Sequence, residues 1–173
     1  MPALDQAHMQ GLIDAGQAAV TTTDKGRALE DLICYVFDIL PGIAVTHRNE
    51  LNQFHTEEID VALLNDSLNY MPINILIECK NWSNAVSSIE VAWFLTKLRN
   101  RGLDFGILIS PLGITGNQVE LTAANFEVAS ALKERRRLII ITTDEILGLT
   151  DTDELEQLIK VKICDLVVKG AIS

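Results

Sequence analysis

A carboxylate and an ammonium group stand close together at the end of one apolar segment, residues 73–80. The segment alternates as a β-strand does, which places Glu78 and Lys80 on one face, two residues apart. Burying charge at the end of an apolar strand is costly unless the charge is paired or bound to a metal ion. The pair is therefore a candidate for chemistry, and the alternative is a solvated surface pair, which contributes little.

A second segment with a strand-like pattern, residues 58–64, precedes this one and places Asp60 on its polar face. If the two segments pair as a hairpin through residues 65–72, Asp60 can lie beside Glu78. Two converging carboxylates with an adjacent lysine form a hard oxygen site that suits Mg²⁺ or Mn²⁺. Such a site can polarise a phosphate, generate hydroxide and neutralise developing charge.

A third acid lies on the helix predicted at residues 25–40, with Asp24 as its N-cap and Pro41-Gly42 as its end. Glu30 lies along the edge of the apolar stripe of this helix. A glutamate at that position is expected to point toward the body of the protein. The alternative is an acid on the helix surface.

The remaining elements alternate between helix and strand. A weakly helical segment at 4–20 comes first, and a short strand at 43–47 precedes the acidic strands. The later predicted elements are a helix at 84–101, a strand at 105–110, a helix at 117–134 capped by Thr115, a strand at 137–142, and helices at 143–147 and 152–168. The order α-β-β-β-α-β-α-β-α predicts an α/β fold, a mixed β-sheet flanked by helices on both faces.

The length and composition are those of one folded domain. The chain has 173 residues, of which 48% are hydrophobic and 22% charged, and this balance argues against disorder. We predict an N-terminal helical extension at 1–23, a catalytic domain at 24–150, and a C-terminal helix at 151–173 packed on the same domain.

The chain is acidic, with 14 Lys and Arg against 24 Asp and Glu and a net charge of −10. That charge counts against a basic protein that coats nucleic acid. Only residues 81–142 hold more bases than acids, seven against five, so this part of the chain is the one suited to bind a polyanion. We expect weak, salt-sensitive binding of free nucleic acid, or a partner subunit that supplies positive surface.

Two features of this middle part each allow two interpretations. Lys97, Arg99 and Arg101 either complement a helix dipole or contact nucleic acid. The segment 91–95 is apolar nearly all round its helix, and is either deeply buried or the seam of a homodimer.

The cysteine spacing and the N-terminal sequence indicate the cellular compartment of the protein. Cys34, Cys79 and Cys164 are far apart in sequence and show no zinc-binding spacing, which favours reduced thiols in the cytosol. No signal peptide is apparent, and no apolar run approaches the roughly 20 residues of a membrane span. We therefore expect a cytoplasmic protein without a membrane partner.

These residues together resemble a known nuclease motif. The motif consists of Asp60, a 17-residue gap and Glu78-Cys79-Lys80, and a helix with Glu30 precedes it. This arrangement resembles the motif of the PD-(D/E)xK nuclease superfamily. The segment 105–115, a following helix and the strand 138–142 resemble its Mrr-like restriction endonuclease branch. The resemblance covers residues 24–148. Ile59 stands where a proline is common, and Glu78 stands where the Mrr-like branch often has glutamine.

The resemblance implies a restriction-endonuclease-like fold and a Mg²⁺- or Mn²⁺-dependent endonuclease that hydrolyses phosphodiester bonds of DNA. The metal ligands would be the carboxylates of Asp60 and Glu78 and the backbone carbonyl of Cys79. Lys80 would orient or activate the attacking water and steady the phosphate charge. Glu30 would support the site or a second metal through water.

Other functions stay open at this point. The chain could be a non-catalytic subunit of the same fold that acts in assembly or regulation, or a nuclease of branched DNA or RNA. Host defence is the context that the resemblance implies, and repair is the competing one. A homodimer is expected because cleavage of both strands needs two sites. Sequence-specific recognition is not expected, because no attached DNA-reading domain is apparent.

Overall fold

The computed structural model describes residues 2–80, 84–116 and 123–170. Within these ranges the chain forms six helices and five strands. In chain order they are α1 (Gln6–Ala18), α2 (Thr22–Asp38), β1 (Ile43–Leu51), β2 (Glu58–Asn65), β3 (Asn74–Cys79), α3 (Ser88–Asn100), β4 (Phe105–Ser110), α4 (Ala124–Lys133), β5 (Arg137–Thr142), α5 (Thr143–Leu147) and α6 (Thr152–Lys169).

The five strands form one sheet in the order β1-β2-β3-β4-β5. The pairs β1–β2 and β2–β3 are antiparallel, whereas β3–β4 and β4–β5 are parallel. Strand β3 is therefore the junction between an antiparallel and a parallel half. The hairpin predicted between the two acidic strands is present, with Val61 opposite Ile77. The mixed α/β sheet predicted from the sequence is confirmed.

Helices cover both faces of the sheet. All six residues of β4 are buried, which requires cover above and below. Helix α3 packs on the face that carries Gly106, because the side chains of Leu98 and Phe94 lie over that residue. Helix α2 contacts β1, β2 and β3, and the charge of Glu30 on this helix acts on Cys79, whose side chain lies on the other face of β3. The predicted layers are therefore observed, with β3 enclosed between α2 and α3.

Several boundaries predicted from the sequence were wrong. The N-cap of α2 is Thr21, whose hydroxyl accepts a hydrogen bond from the amide of Asp24, so Asp24 lies inside the helix. Helix α3 begins at Ser88 rather than at 84, because Ser87 and Glu90 form a capping box there. Strand β1 extends beyond 47 to Leu51, because it pairs with β2 along its length.

The predicted cap of the fourth helix was also wrong. Helix α4 begins at Ala124 and its N-cap position is Ala123, so Thr115 does not cap it. Residues 117–122 of the predicted helix lie outside the described residues. Thr115 instead donates its backbone amide to the carbonyl of Val86, in a short parallel bridge that precedes α3.

Both ends of the described chain join the same core. Leu4 and Met9 are buried in the hydrophobic cluster that also contains Leu155 and Leu166 of α6. The amide of Leu4 donates to the carbonyl of Thr150, which ties the first residues to the start of α6. No helix within the described ranges is both long enough and apolar enough to span a membrane.

Gly106 allows α3 to lie close against the sheet. A Cβ atom at this position would stand 2.7 Å from a methyl carbon of Leu98 and 3.1 Å from the ring of Phe94. Real Cβ atoms do not approach carbon so closely, so a side chain here would force the buried side chains of Leu98 and Phe94 to move. Because α3 also carries Lys97, this close approach sets how far that lysine reaches toward β3.

We expect Gly106→Ala to destabilise the protein by about 1–3 kcal/mol, because it overpacks the contact between α3 and β4. Urea unfolding at equilibrium measures the change. Gly11→Ala in α1 is the matched control, because a Cβ there meets no atom within 4 Å and alanine favours a helix interior. Equal stability of Gly106→Ala and the wild type would show that the contact is loose.

Candidate active site

Asp60 and Glu78 lie next to each other on the β2–β3 hairpin. Val61 is opposite Ile77 in the antiparallel register, so the next step along the hairpin brings Asp60 opposite Glu78 on one face of the sheet. The Oδ2 atom of Asp60 accepts a hydrogen bond of 2.7 Å from the backbone amide of Cys79. The structure therefore brings together the two carboxylates that the sequence pattern singled out.

Two lysines hold the carboxylate of Glu78. The residue is only 3% exposed. Its Oε1 atom lies 2.8 Å from Nζ of Lys80, and its Oε2 atom accepts a 2.6 Å hydrogen bond from Nζ of Lys97. A buried carboxylate requires such pairing, because an unpaired charge in the interior costs several kcal/mol. Glu78 is thus the centre of a charge cluster formed with Asp60, Lys80 and Lys97, which we call the β3 charge cluster.

Lys97 is the site residue that sequence reasoning missed. Its position on α3 suggested a dipole complement or a nucleic-acid contact, whereas its ammonium group pairs with Glu78. The available signal was its place on the helix, since Lys97 lies three residues after Phe94 and next to Leu98, both buried. A lysine that borders a buried stripe is a candidate partner for a buried acid.

The pKa of Asp60 is raised to about 7 from its usual 3.8. Burial is the main cause, and the charge of Glu78 is the second. The hydrogen bond from Cys79 and the charges of Lys97 and Lys80 oppose the rise without cancelling it. Burial therefore disfavours the charged form of Asp60, and a cation bound beside it would favour that form.

Lys80 keeps its proton in this setting. Burial lowers the pKa of its amine, but the charge of Glu78 and the hydrogen bond to it outweigh burial, and the net pKa is raised. The side chain is 23% exposed, so it borders the surface. Lys80 can therefore contribute a fixed positive charge and hydrogen-bond donors to a phosphate or a water molecule.

Glu30 lies near this cluster but contacts a different strand. Its Oε2 atom accepts hydrogen bonds from Nε of Arg48 at 3.2 Å and from Nδ2 of Asn49 at 2.8 Å, both on β1. The β1–β2 register places Asn49 beside Asp60, because Arg48 is opposite Val61 and Glu50 is opposite Ile59. Among the contacts that the structure describes, Glu30 is thus linked to Asp60 through β1, and its catalytic role stays a prediction.

Cys79 contributes its backbone rather than its thiol. Burial raises the pKa of the thiol well above its usual value, and the charges of Asp60, Glu30 and Glu78 add to the rise. A protonated thiol is neither a nucleophile nor a metal ligand. The amide of Cys79 orients Asp60, and its carbonyl as a metal ligand stays a prediction.

The donors in the β3 charge cluster fit magnesium better than zinc. No group of three or more His, Cys, Asp or Glu side chains suited to a metal occurs among the described residues. Magnesium needs only one or two carboxylates, because it keeps several of its water molecules. Asp60 and Glu78 supply two such carboxylates side by side. The oxygen donors present therefore suit a cation held by two side chains.

Comparison with protein-family models found a match to the restriction endonuclease family over residues 25–158, a range that contains the whole β3 charge cluster and Glu30. A search of curated proteins found no match. The family match agrees with the mixed five-stranded sheet and with the resemblance of the motif. The chain therefore belongs to the restriction endonuclease family, in the Mrr-like branch predicted from its sequence.

Proposed function

We propose that the protein is a Mg²⁺- or Mn²⁺-dependent endonuclease that hydrolyses phosphodiester bonds of DNA. The observation that carries the proposal is the pairing of Asp60 with Glu78 at the end of a buried hairpin, with Lys80 beside them. A nuclease needs an anionic site for a metal next to a fixed positive charge for the phosphate, and this arrangement offers both.

Each residue of the site has a part in this proposal. Asp60, Glu78 and the carbonyl of Cys79 would hold the metal, which when bound supplies Lewis-acid polarisation of the phosphate and a more acidic water molecule. Lys80, which keeps its proton, would orient the attacking water and steady the charge on the phosphate. Glu30 would support the arrangement from the β1 side, through Asn49.

The assembly of the protein follows from the same proposal. Cleavage of both DNA strands needs two sites, which favours a homodimer. Helix α3 leaves Ile89 and Trp93 exposed while Val91, Phe94 and Leu95 are buried, so any dimer seam on this helix would use Ile89 and Trp93. A partner subunit with positive surface is the other way to offset the net charge of −10. We place the activity in the cytoplasm, in host defence.

The test is cleavage of supercoiled plasmid DNA in the presence of Mg²⁺ or Mn²⁺, and after chelation by EDTA. We expect metal-dependent nicking or linearisation by the wild type, and loss of about a hundredfold or more in Lys80→Ala, because the phosphate loses its fixed positive charge. Lys169→Ala, in an exposed pair with Asp165 on α6, is the matched control for the removal of one lysine.

Three outcomes would contradict the proposal in different ways. Wild-type cleavage by both Asp60→Ala and Lys80→Ala would place the activity elsewhere. Cleavage of branched DNA or of RNA, but not of the plasmid, would keep the chemistry and change the substrate. No cleavage of any of these substrates, together with no binding of millimolar metal, would favour a non-catalytic subunit.

A further inference from the structure

The carboxylate of Glu78 is fully engaged before any cation binds. Lys80 pairs with one oxygen and Lys97 with the other, at 2.8 Å and 2.6 Å. A divalent cation and an ammonium group that share one carboxylate oxygen would lie within a few ångström and repel each other strongly. A cation can therefore bind Glu78 well only if one of the two lysines moves away.

Lys97 is the lysine placed to move. Lys80 lies two residues after Glu78, directly after the end of β3, so the local backbone holds the two side chains together. Lys97 reaches Glu78 from α3, through a flexible four-carbon side chain. Burial and Glu78 raise the pKa of Asp60, and among the opposing charges Lys97 lowers it more than Lys80 does. Both lysines act on both carboxylates, but only Lys97 reaches them from a different element of the fold.

The charge of Lys97 also acts on a second acid, Glu57. The pKa of Glu57 is lowered, first by the hydrogen bond from Arg101 and also by the charge of Lys97. Glu57 accepts hydrogen bonds from Asn100 at 2.6 Å and Arg101 at 2.5 Å, both at the C-terminal end of α3. Lys97 can thus leave Glu78 without losing all of its favourable electrostatic surroundings.

We propose that Lys97 is a built-in counter-ion of the β3 charge cluster, which balances Asp60 and Glu78 in the metal-free protein and is released when a divalent cation takes its place. The inference rests on the proposed metal-dependent function. Lys97 is a positioning residue in this scheme, since it acts through Glu78. Binding of the metal and release of the Lys97 ammonium group from Glu78 are then a single event.

The first test is calorimetric titration of Mn²⁺ and Mg²⁺ into the protein at pH 8 without nucleic acid. Lys97→Met removes the competing charge and keeps the length of the side chain, and we expect it to bind metal about tenfold more tightly than the wild type. Lys97→Arg keeps the charge and should bind no more tightly than the wild type. Arg99→Met is the matched control, because Arg99 lies on the same helix but pairs with the exposed Glu134.

A second measurement uses only the wild type, and so does not depend on how the variants fold. An amine-acylating reagent is applied with and without Mn²⁺, and the modified lysines are identified by peptide mass spectrometry. We expect Mn²⁺ to raise the labelling of Lys97 several-fold relative to Lys133, an exposed lysine at the end of α4. Unchanged or lower labelling of Lys97 would show that it stays on Glu78.

The results separate this inference from the proposed function. A wild type that binds metal, with Lys97→Met binding equally or more weakly, would overturn the counter-ion role and leave the metal site intact. This outcome is also what a merely structural role of Lys97 predicts. If neither the wild type nor Lys97→Met binds metal, both the inference and the metal-dependent function are overturned.

Discussion

Glu78→Gln is expected to destabilise the metal-free protein by about 3 kcal/mol, because it leaves two partly buried ammonium groups without their shared carboxylate. Lys80 and Lys97 would then repel each other across a neutral amide, with side chains only 23% and 14% exposed. Cleavage should be weakened but not abolished, because a proposed metal ligand loses its charge, whereas glutamine, which the Mrr-like branch often has at this position, keeps one oxygen donor. Urea unfolding at pH 7 measures the stability, and plasmid cleavage measures the activity.

Glu134→Gln is the matched control for this prediction. Glu134 also bridges two cations, Arg99 and Arg136, but it does so at the exposed end of α4. We expect its unfolding midpoint to equal that of the wild type, because exposed ion pairs contribute little. If Glu78→Gln unfolds at the same denaturant concentration as Glu134→Gln, the pairing of Lys80 and Lys97 with Glu78 does not contribute to stability.

Asp60→Asn is expected to act on stability in the opposite direction, and to lower the cleavage rate by about a thousandfold or more. Burial and Glu78 raise the pKa of Asp60 from 3.8 to about 7. The folded protein therefore binds a proton more tightly than the unfolded chain does. The stability contributed by that proton is fully present below pH 3.8 and is lost as the pH rises through about 7.

Asparagine resembles the protonated form of Asp60 and keeps an oxygen to accept the amide of Cys79. At pH 8 without metal, Asp60→Asn should therefore be more stable than the wild type, by on the order of 2 kcal/mol. Near pH 4 the two proteins should be equally stable. Saturating Mg²⁺ should stabilise only the wild type and narrow the difference at pH 8.

Unfolding free energies measured from pH 4 to pH 9, with and without Mg²⁺, test this prediction. Glu58→Gln, at an exposed position of the same strand, controls for the loss of one negative charge from β2. Parallel pH profiles for Asp60→Asn and the wild type would mean that Asp60 is already well compensated in the folded protein. That result would remove the electrostatic argument for a cation at this position.

The proximity of Asp60 and Glu78 could be predicted from the sequence, because it depends on the local geometry of one hairpin. Strand alternation fixes the face on which Asp60 and Glu78 lie, and a short connection between the strands brings them together. The mixed sheet followed from the order of the elements in the same way. The extension of β1 to Leu51 could not be predicted, because its outer residues are exposed and lack an apolar alternation.

The position of Lys97 in the site depends on contacts between elements that are distant in sequence. The pairing of Lys97 with Glu78 requires that α3 cross over β4 at close range, and this in turn requires that position 106 have no side chain. A glycine within an apolar strand indicates a close approach but does not identify which helix approaches. The local sequence around Lys97 therefore gave two interpretations, and neither included a buried acid.

The position of β3 at the junction of the antiparallel and parallel halves has a consequence for folding. Asp60 and Glu78 belong to a hairpin, whose contacts are close in sequence, whereas Lys97 joins them only after the longer β3–α3–β4 crossover has formed. The two negative charges thus meet with Lys80 beside them, before the second positive partner, Lys97, arrives. We expect the early folding barrier to rise with pH as Asp60 ionises, and the docking of α3 to be the step that relieves this repulsion.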